Sequence, residues 1–148
     1  MTQIFQATAH HHDEVLAIWE SAVRATHHFL SETDIIFYRE SLRSALPEME
    51  VYCLADADGI TGFVCAEEQM VHALFVRPEK AGQGVGTALM QFAIEEKKIF
   101  RVDVNEQNEA AFRFYKRLGF KVFARRELDG AGKPYPLLML ELPQPGSA

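Results

Sequence analysis

Phe75–Thr87, Phe-Val-Arg-Pro-Glu-Lys-Ala-Gly-Gln-Gly-Val-Gly-Thr, is the stretch on which the reading of this chain turns. It leaves an apolar run (Val71, Ala73, Leu74, Phe75, Val76) that predicts a strand over Met70–Val76. Pro78 cannot continue a sheet ladder. Gly82, Gly84 and Gly86 then lead into a helical pattern reaching about Lys97, with Leu89, Met90, Phe92, Ala93 and Ile94 available for its buried faces. Strand, tight glycine loop and helix N-terminus together aim several unpaired backbone N–H groups at one point, with the helix dipole behind them. A phosphate or pyrophosphate is the natural guest. The nucleotide-binding P-loop is excluded, because no Gly-Lys-Ser/Thr occurs. The dinucleotide fingerprint is also excluded, because the glycine spacing is wrong for it. A glycine turn that only lets a helix pack closely on a strand is the other reading of the loop.

Working outward, Gln3–Ala7 reads as a first short strand and His10-His11-His12 as a solvated loop. Three adjacent imidazoles cannot all face one ion. Val15, Ile18, Trp19, Ala22 and Val23 recur at helical spacing and predict a helix over about 13–25, capped by Asp13 or a nearby His. A second helix over 33–45 carries Ile35, Ile36, Tyr38 and Leu42 and is ended by Pro47. Between them, residues 26–32 are polar and aromatic together, which suits a pocket wall or a plain connection. Val51–Ala55 and Ile60–Ala66 flank a turn ending Asp-Gly and predict an antiparallel hairpin. Ile99–Val104 is β-like. Asn108–Leu118 is helical, capped by Asn108 and ended by Gly119. Phe120–Leu128 and Leu137–Leu142 predict two last strands around the long turn 129–136. The order is βααβββαβαββ: one α/β domain over residues 1–142, with residues 143–148 an expected disordered tail.

A chain of 148 residues, 48% hydrophobic, supports one core of good size. No apolar run approaches the ~20 residues of a membrane span, and no basic-then-apolar leader opens the sequence. A cytoplasmic protein without a membrane partner is expected. The formal charge of −6 and the lack of a basic tract argue against nucleic acid. Cys53 and Cys65 form neither a metal pattern nor a disulfide framework and read as buried thiols. No metal site is expected.

A second segment, Val104–Phe120, reads Val-Asn-Glu-Gln-Asn-Glu-Ala-Ala-Phe-Arg-Phe-Tyr-Lys-Arg-Leu-Gly-Phe. Its Asn108, Ala111, Tyr115, Gly119 and Phe120 match N-x-x-A-x-x-x-Y-x-x-x-G-F at every position. Gly84 and Gly86 match the end of [Gln/Arg]-x-x-G-x-[Gly/Ala], whose first position here is Ala81. In this order and spacing the two segments resemble the signatures of the GCN5-related N-acetyltransferase (GNAT) family. Ala17–Trp19, Ala25–His27, 104–109 and Gly132–Leu138 are similar to its bacterial YjaB-like subgroup.

The resemblance implies a GNAT-like fold, a mixed and mostly antiparallel sheet flanked by about four helices. It implies acetyl-CoA as acyl donor and an amine as acceptor, attacked directly in a ternary complex. The subgroup points to protein lysine; a small-molecule amine or antibiotic is the alternative, and a non-catalytic acyl-CoA sensor is another. Ala81, Gly82, Gln83, Gly84, Val85, Gly86 and Thr87 would hold the pyrophosphate, chiefly through backbone N–H groups. Leu74 and Val76 would offer main-chain groups to the pantetheine arm, on a strand carrying a bulge. A main-chain N–H near Phe75 would polarise the thioester carbonyl. Asn105 and Asn108 complete the cofactor-binding set with Tyr115. Tyr115 is the expected general acid, since a phenol near pKa ~10 is close to a leaving thiol. Packing beside Phe112, Phe114 and Leu118 is its plain structural role. His72, placed by alternation on one face with Met70 and Leu74, is the expected base. His27, Glu32, Glu67 and Glu68 are the other candidates. Monomer and homodimer are both open.

Overall fold

The computed structural model describes residues 3–143. The strands are β1 (Gln3–Gln6), β2 (Glu50–Asp56), β3 (Gly59–Glu67), β4 (Met70–Val76), β5 (Arg101–Asn105), β6 (Lys121–Arg126) and β7 (Leu137–Glu141). The α-helices are α1 (His12–Thr26), α2 (Glu32–Ala45), α3 (Val85–Lys97) and α4 (Glu109–Arg117). The element order and the α/β class agree with the sequence reading. The expected tail lies, from residue 144 on, outside the described residues.

The seven strands form one sheet in the order β1-β2-β3-β4-β5-β7-β6, in which only the β4–β5 neighbours run parallel. Helices cover both faces. Val15, Ile18 and Trp19 of α1 and Ile35 of α2 pack with Val51, Cys53, Phe63 and Cys65 on one side. Leu89, Met90 and Ala93 of α3 and Tyr115 of α4 pack with Tyr52, Val64, Val102 and Leu140 on the other.

The N-terminal histidines depart from expectation. Residues 9–11 form a 3-10 turn, closed by Thr8 N–H donating to His11 Nδ1 at 2.9 Å, and His12 already opens α1. His11 occupies the N-cap position of that helix but makes no side-chain cap hydrogen bond, because the reciprocal Thr8–His11 turn takes up its imidazole one step earlier; Asp13 lies inside the helix. In contrast α2 is capped as designed: Ser31 Oγ accepts from Asp34 N–H at 3.1 Å.

Two local features split the sheet at β4. First, β4 and β5 pair only at Met70↔Arg101 and Val71↔Val102. Beyond that point β5 stays with β7, through Asp103↔Met139 to Asn105↔Leu137, and β4 stays with β3. Second, Ala66 pairs with Val71 but Cys65 with Ala73, so His72 is an extra, unpaired residue on β4. The bulge shifts the side-chain alternation by one. Val71, Leu74 and Val76 pack on the α3 face, and Ala73 and Phe75 on the α1 face. This corrects the placement of His72 on one face with Met70 and Leu74, since simple alternation does not survive the extra residue.

α3 is seated on β3 through Gly62. A Cβ there would lie 2.8 Å from Val85 Cγ1 and 2.9 Å from the Phe75 carbonyl oxygen. The oxygen is fixed by the sheet and cannot yield. Gly62→Ala is therefore expected to cost about 1–3 kcal/mol through overpacking. Urea unfolding checks it; an unchanged midpoint would contradict the close approach.

Candidate active site

β4 presents free backbone on the side where β5 has left it. Arg77 N–H donates to Thr61 O at 2.8 Å. The antiparallel register carries this alternation back along the strand, so Phe75 and Ala73 turn their polar groups to β3. Leu74 and Val76 turn theirs to the gap. The N–H groups available to a ligand are thus those flanking Phe75, while its own faces β3. A slot of about 130 Å³ lies here, lined among others by Leu74, Phe75, Val104, Asn105, Asn108 and Tyr115. An extended, amide-bearing chain fits such an edge as an added strand.

The glycine loop lies outside this slot, at the head of α3. Gly82 and Gly84 hold φ of +78° and +83°, and at both a Cβ would meet nothing within 4 Å. Their backbone is open to solvent, and Gly84 begins α3 with no side-chain cap, leaving the first N–H groups for an anion. The nearby cations are already engaged: Lys80 Nζ lies 3.0 Å from Asp56 and 2.9 Å from Asp58, and Arg77 reaches Glu14 at 3.1 Å. The loop therefore offers amides rather than side-chain charge, as alanine at position 81 already implied. Slot and loop together offer an unpaired strand edge beside a helix N-terminus open to an anion.

Asn108 caps α4, its Oδ1 accepting from Ala111 N–H at 3.2 Å, and also lines the slot. Tyr115 is 6% exposed, packed edge-on against Phe114 and Phe120. Burial pushes its phenol well above the ordinary value, so the proton stays on oxygen. Near-equality with a thiol therefore does not hold for the buried ring.

A second cavity of about 630 Å³ opens on the α1–α2 side, lined in part by Trp19, Phe37, Tyr38, Phe75, Asp103 and Tyr135. It shares His27, His72, Asp103 and Asn105 with the slot, so the two spaces meet there. Its far wall is the 129–136 turn, fastened to α2. Tyr38 donates to Asp129, and Tyr135 donates to Asp34. Lys133 Nζ pairs with Asp34 at 3.1 Å and sits 4.7 Å over the Phe37 ring. The Tyr135 and Lys133 hydrogen bonds hold Asp34 down at about 2.

Of the base candidates, only His72 and His27 line these cavities. His72 stands on the bulge, its Nε2 4.0 Å from Glu67. Glu32 is tied to Arg24 at 2.5 Å, and Glu67 and Glu68 sit at the β3–β4 turn. Asp103 went unread in the sequence. Half-buried on β5 where the sheet parts, it faces both cavities. Burial raises its carboxyl above the usual range, against the pull of Arg126 and His72. Its only sequence signal was an acid inside a short apolar strand. Among the described residues no cluster of metal-ligating side chains occurs, and no helix is long and apolar enough to cross a membrane.

A split parallel pair, a bulged strand and a glycine loop at a helix head are the architecture of an acyl-CoA-dependent acyltransferase. The sequence profile of the acetyltransferase (GNAT) domain matches residues 47–122. The chain belongs to the GNAT family and is an N-acetyltransferase, whose acyl donor in this family is acetyl-CoA. It is 43% identical over 129 residues to peptidyl-lysine N-acetyltransferase YjaB of Escherichia coli strain K12, spanning 86% of this chain and 88% of that one. Its identity to the protein of the same name from Salmonella typhimurium strain LT2 is 40%, spanning 88% and 91%. The solution structure of apo-form YjaB from Escherichia coli superposes with a TM-score of 0.87 at 39% identity, covering 95% of this chain and 97% of that one.

Proposed function

We propose that this enzyme acetylates the ε-amine of protein lysine by direct attack on acetyl-CoA in a ternary complex. The observation that carries the reading is the junction of the two cavities. A slot with free strand backbone meets an aromatic-walled space holding a half-buried carboxylate. An apolar stem ending in a cation suits that space, and the similarity to peptidyl-lysine acetyltransferases supports the same acceptor.

Bound acetyl-CoA supplies an activated acetyl thioester. Ala81–Thr87 hold its pyrophosphate through backbone N–H groups, with Asn105 and Asn108 bordering the slot. The free N–H groups of Leu74 and Val76, beside Phe75, hydrogen-bond the pantetheine arm and the carbonyl oxygen as it gains charge. Asp103 receives the lysine ammonium. His72 takes its proton, and Tyr115 holds the proton that the departing sulfur needs. Neither Cys53 nor Cys65 serves as a nucleophile. Both are fully buried, and burial pushes each thiol up to about 12.

The test is release of free thiol from acetyl-CoA over lysine peptides, N-terminal peptides, polyamines and aminoglycosides. Release with lysine peptides, and acetyl-lysine in the product, is expected. Turnover only with the small amines would transfer the reading to a small-molecule acetyltransferase. Acetyl-CoA binding with no turnover on any acceptor would make the chain a sensor.

A further inference from the structure

We propose that His27 is a positioning residue for the acceptor: its Nε2, kept unprotonated by the Thr26 hydroxyl, accepts a hydrogen bond from the attacking nitrogen. The inference rests on the reading of the larger cavity as an amine site.

α1 ends at Thr26, and His27 N–H donates to Val23 O at 2.7 Å. Thr26 Oγ1 lies 2.8 Å from the Ala22 carbonyl oxygen, which can only accept. A hydroxyl has a single proton, and here it is spent on that carbonyl. His27 Nδ1 stands 2.7 Å from the same Oγ1. The contact can be a hydrogen bond only if Nδ1 carries hydrogen and donates. A neutral imidazole protonated at Nδ1 has a bare lone pair at Nε2. Among the described residues nothing hydrogen-bonds Nε2.

The ring is fixed as firmly as its tautomer. Its centroid lies 5.9 Å from that of Phe75 and 5.4 Å from that of Phe29. Phe75 sits between Leu74 and Val76, whose N–H groups face the gap, and His27 lines both cavities. The ring thus borders the place where donor and acceptor meet, and with Nδ1 engaged by Thr26, Nε2 is its remaining polar atom to face it. Burial, helped by His28, depresses the ring's basicity to about 4. The titratable groups around it are His28, His72 and Asp103. A ring so weakly basic does not remove the amine's proton; it offers an acceptor that stays neutral. A neutral amine has two N–H bonds and one lone pair. Holding both N–H bonds, one on Asp103 and one on His27 Nε2, aims the lone pair at the carbonyl carbon, which is the ordering that proximity catalysis requires.

The experiment joins spectroscopy to kinetics, using whichever amine the wild-type enzyme acetylates best. In wild type, ¹⁵N NMR of labelled histidine is expected to show His27 with hydrogen on Nδ1 and none on Nε2. Thr26→Val frees the tautomer and is expected to populate Nε2–H, with a severalfold loss of kcat/KM for the amine. His27→Phe keeps the ring packing and removes the acceptor. It is expected to lose about tenfold, mostly in kcat, with KM for acetyl-CoA unchanged. His27→Gln, whose Oε1 reaches where Nε2 was, restores most of that. Hydrogen on Nε2 in wild type, an undiminished Phe variant, or equal losses in Phe and Gln variants would each overturn the proposal. Absence of amine acetylation in wild type fails the functional reading itself, and is seen before any variant is made.

Discussion

Tyr115→Phe is expected to lower kcat by about 10²-fold or more, with acetyl-CoA bound as before. The ring is a core element, wedged edge-on between Phe114 and Phe120, so phenylalanine keeps the packing and removes only the hydroxyl. Fold stability should barely change, which separates a chemical loss from a structural one. Tyr115 lines the slot between the parted strands, the place proposed for the thioester. Burial holds the phenol protonated, and its titration lies above the ordinary tyrosine value. The pH profile of the wild type should therefore show no loss attributable to this group through neutral and mildly basic pH. Single-turnover kinetics with saturating acetyl-CoA measure the chemical step directly. Full activity in the variant would remove Tyr115 from the mechanism and leave it as packing.

Asp103→Asn is expected to lose about ten- to a hundredfold in kcat/KM for the amine, the worth of a charge-assisted hydrogen bond. It should at the same time make the protein slightly more stable at neutral pH. The sign follows from the direction of the shift. Burial raises the carboxyl's pKa in the folded state, so proton binding favours folding and the charged form opposes it. That penalty appears as pH rises from the ordinary carboxylate value through the raised one and persists above it. Asparagine carries no charge and escapes the penalty. In the wild type the activity that depends on ionised Asp103 is lost as pH falls through the raised value; the variant lacks that acid limb. Thermal melts and amine kinetics at several pH values check both halves. A variant that loses stability along with activity would place Asp103 among the structural residues.

Much of this fold could be read without coordinates. Met70–Val76 is a strand with the bounds expected, because the apolar run ends where Pro78 forbids pairing. Asn108 and Gly119 bracket α4 because each carries a local backbone demand. The site was legible only where it is built from backbone. The glycine loop follows from residue types and spacing, whereas the free edge at Leu74 and Val76, like a bulge somewhere in that strand, was implied only by the family resemblance. The position of the bulge at His72 could not be read, because Met-Val-His-Ala-Leu-Phe-Val is apolar on both parities and either alternation satisfies it. Asp103 was missed for a related reason. An acid on a short strand reads as facing water, and only the departure of β4 from β5 turns that face into a cavity. The fastening of Asp129 and Tyr135 to α2 spans 91 and 101 residues of sequence, and no local pattern encodes it.

The extra residue on β4 also determines which changes in its gene the protein can absorb. Exchanging the side chain at 72 alters chemistry and leaves the register alone. Losing that one codon triplet restores strict alternation. Val71 on the α3 face would then be followed directly by Ala73 on the α1 face, so Leu74, Phe75 and Val76 would keep their faces and their β3 partners, while the local bend at the place where β4 leaves β5 would be lost. The strand thus tolerates drift in spelling at this position, whereas losing the residue would straighten β4 beside β5 and narrow the opening to its free edge, while every other residue stayed intact.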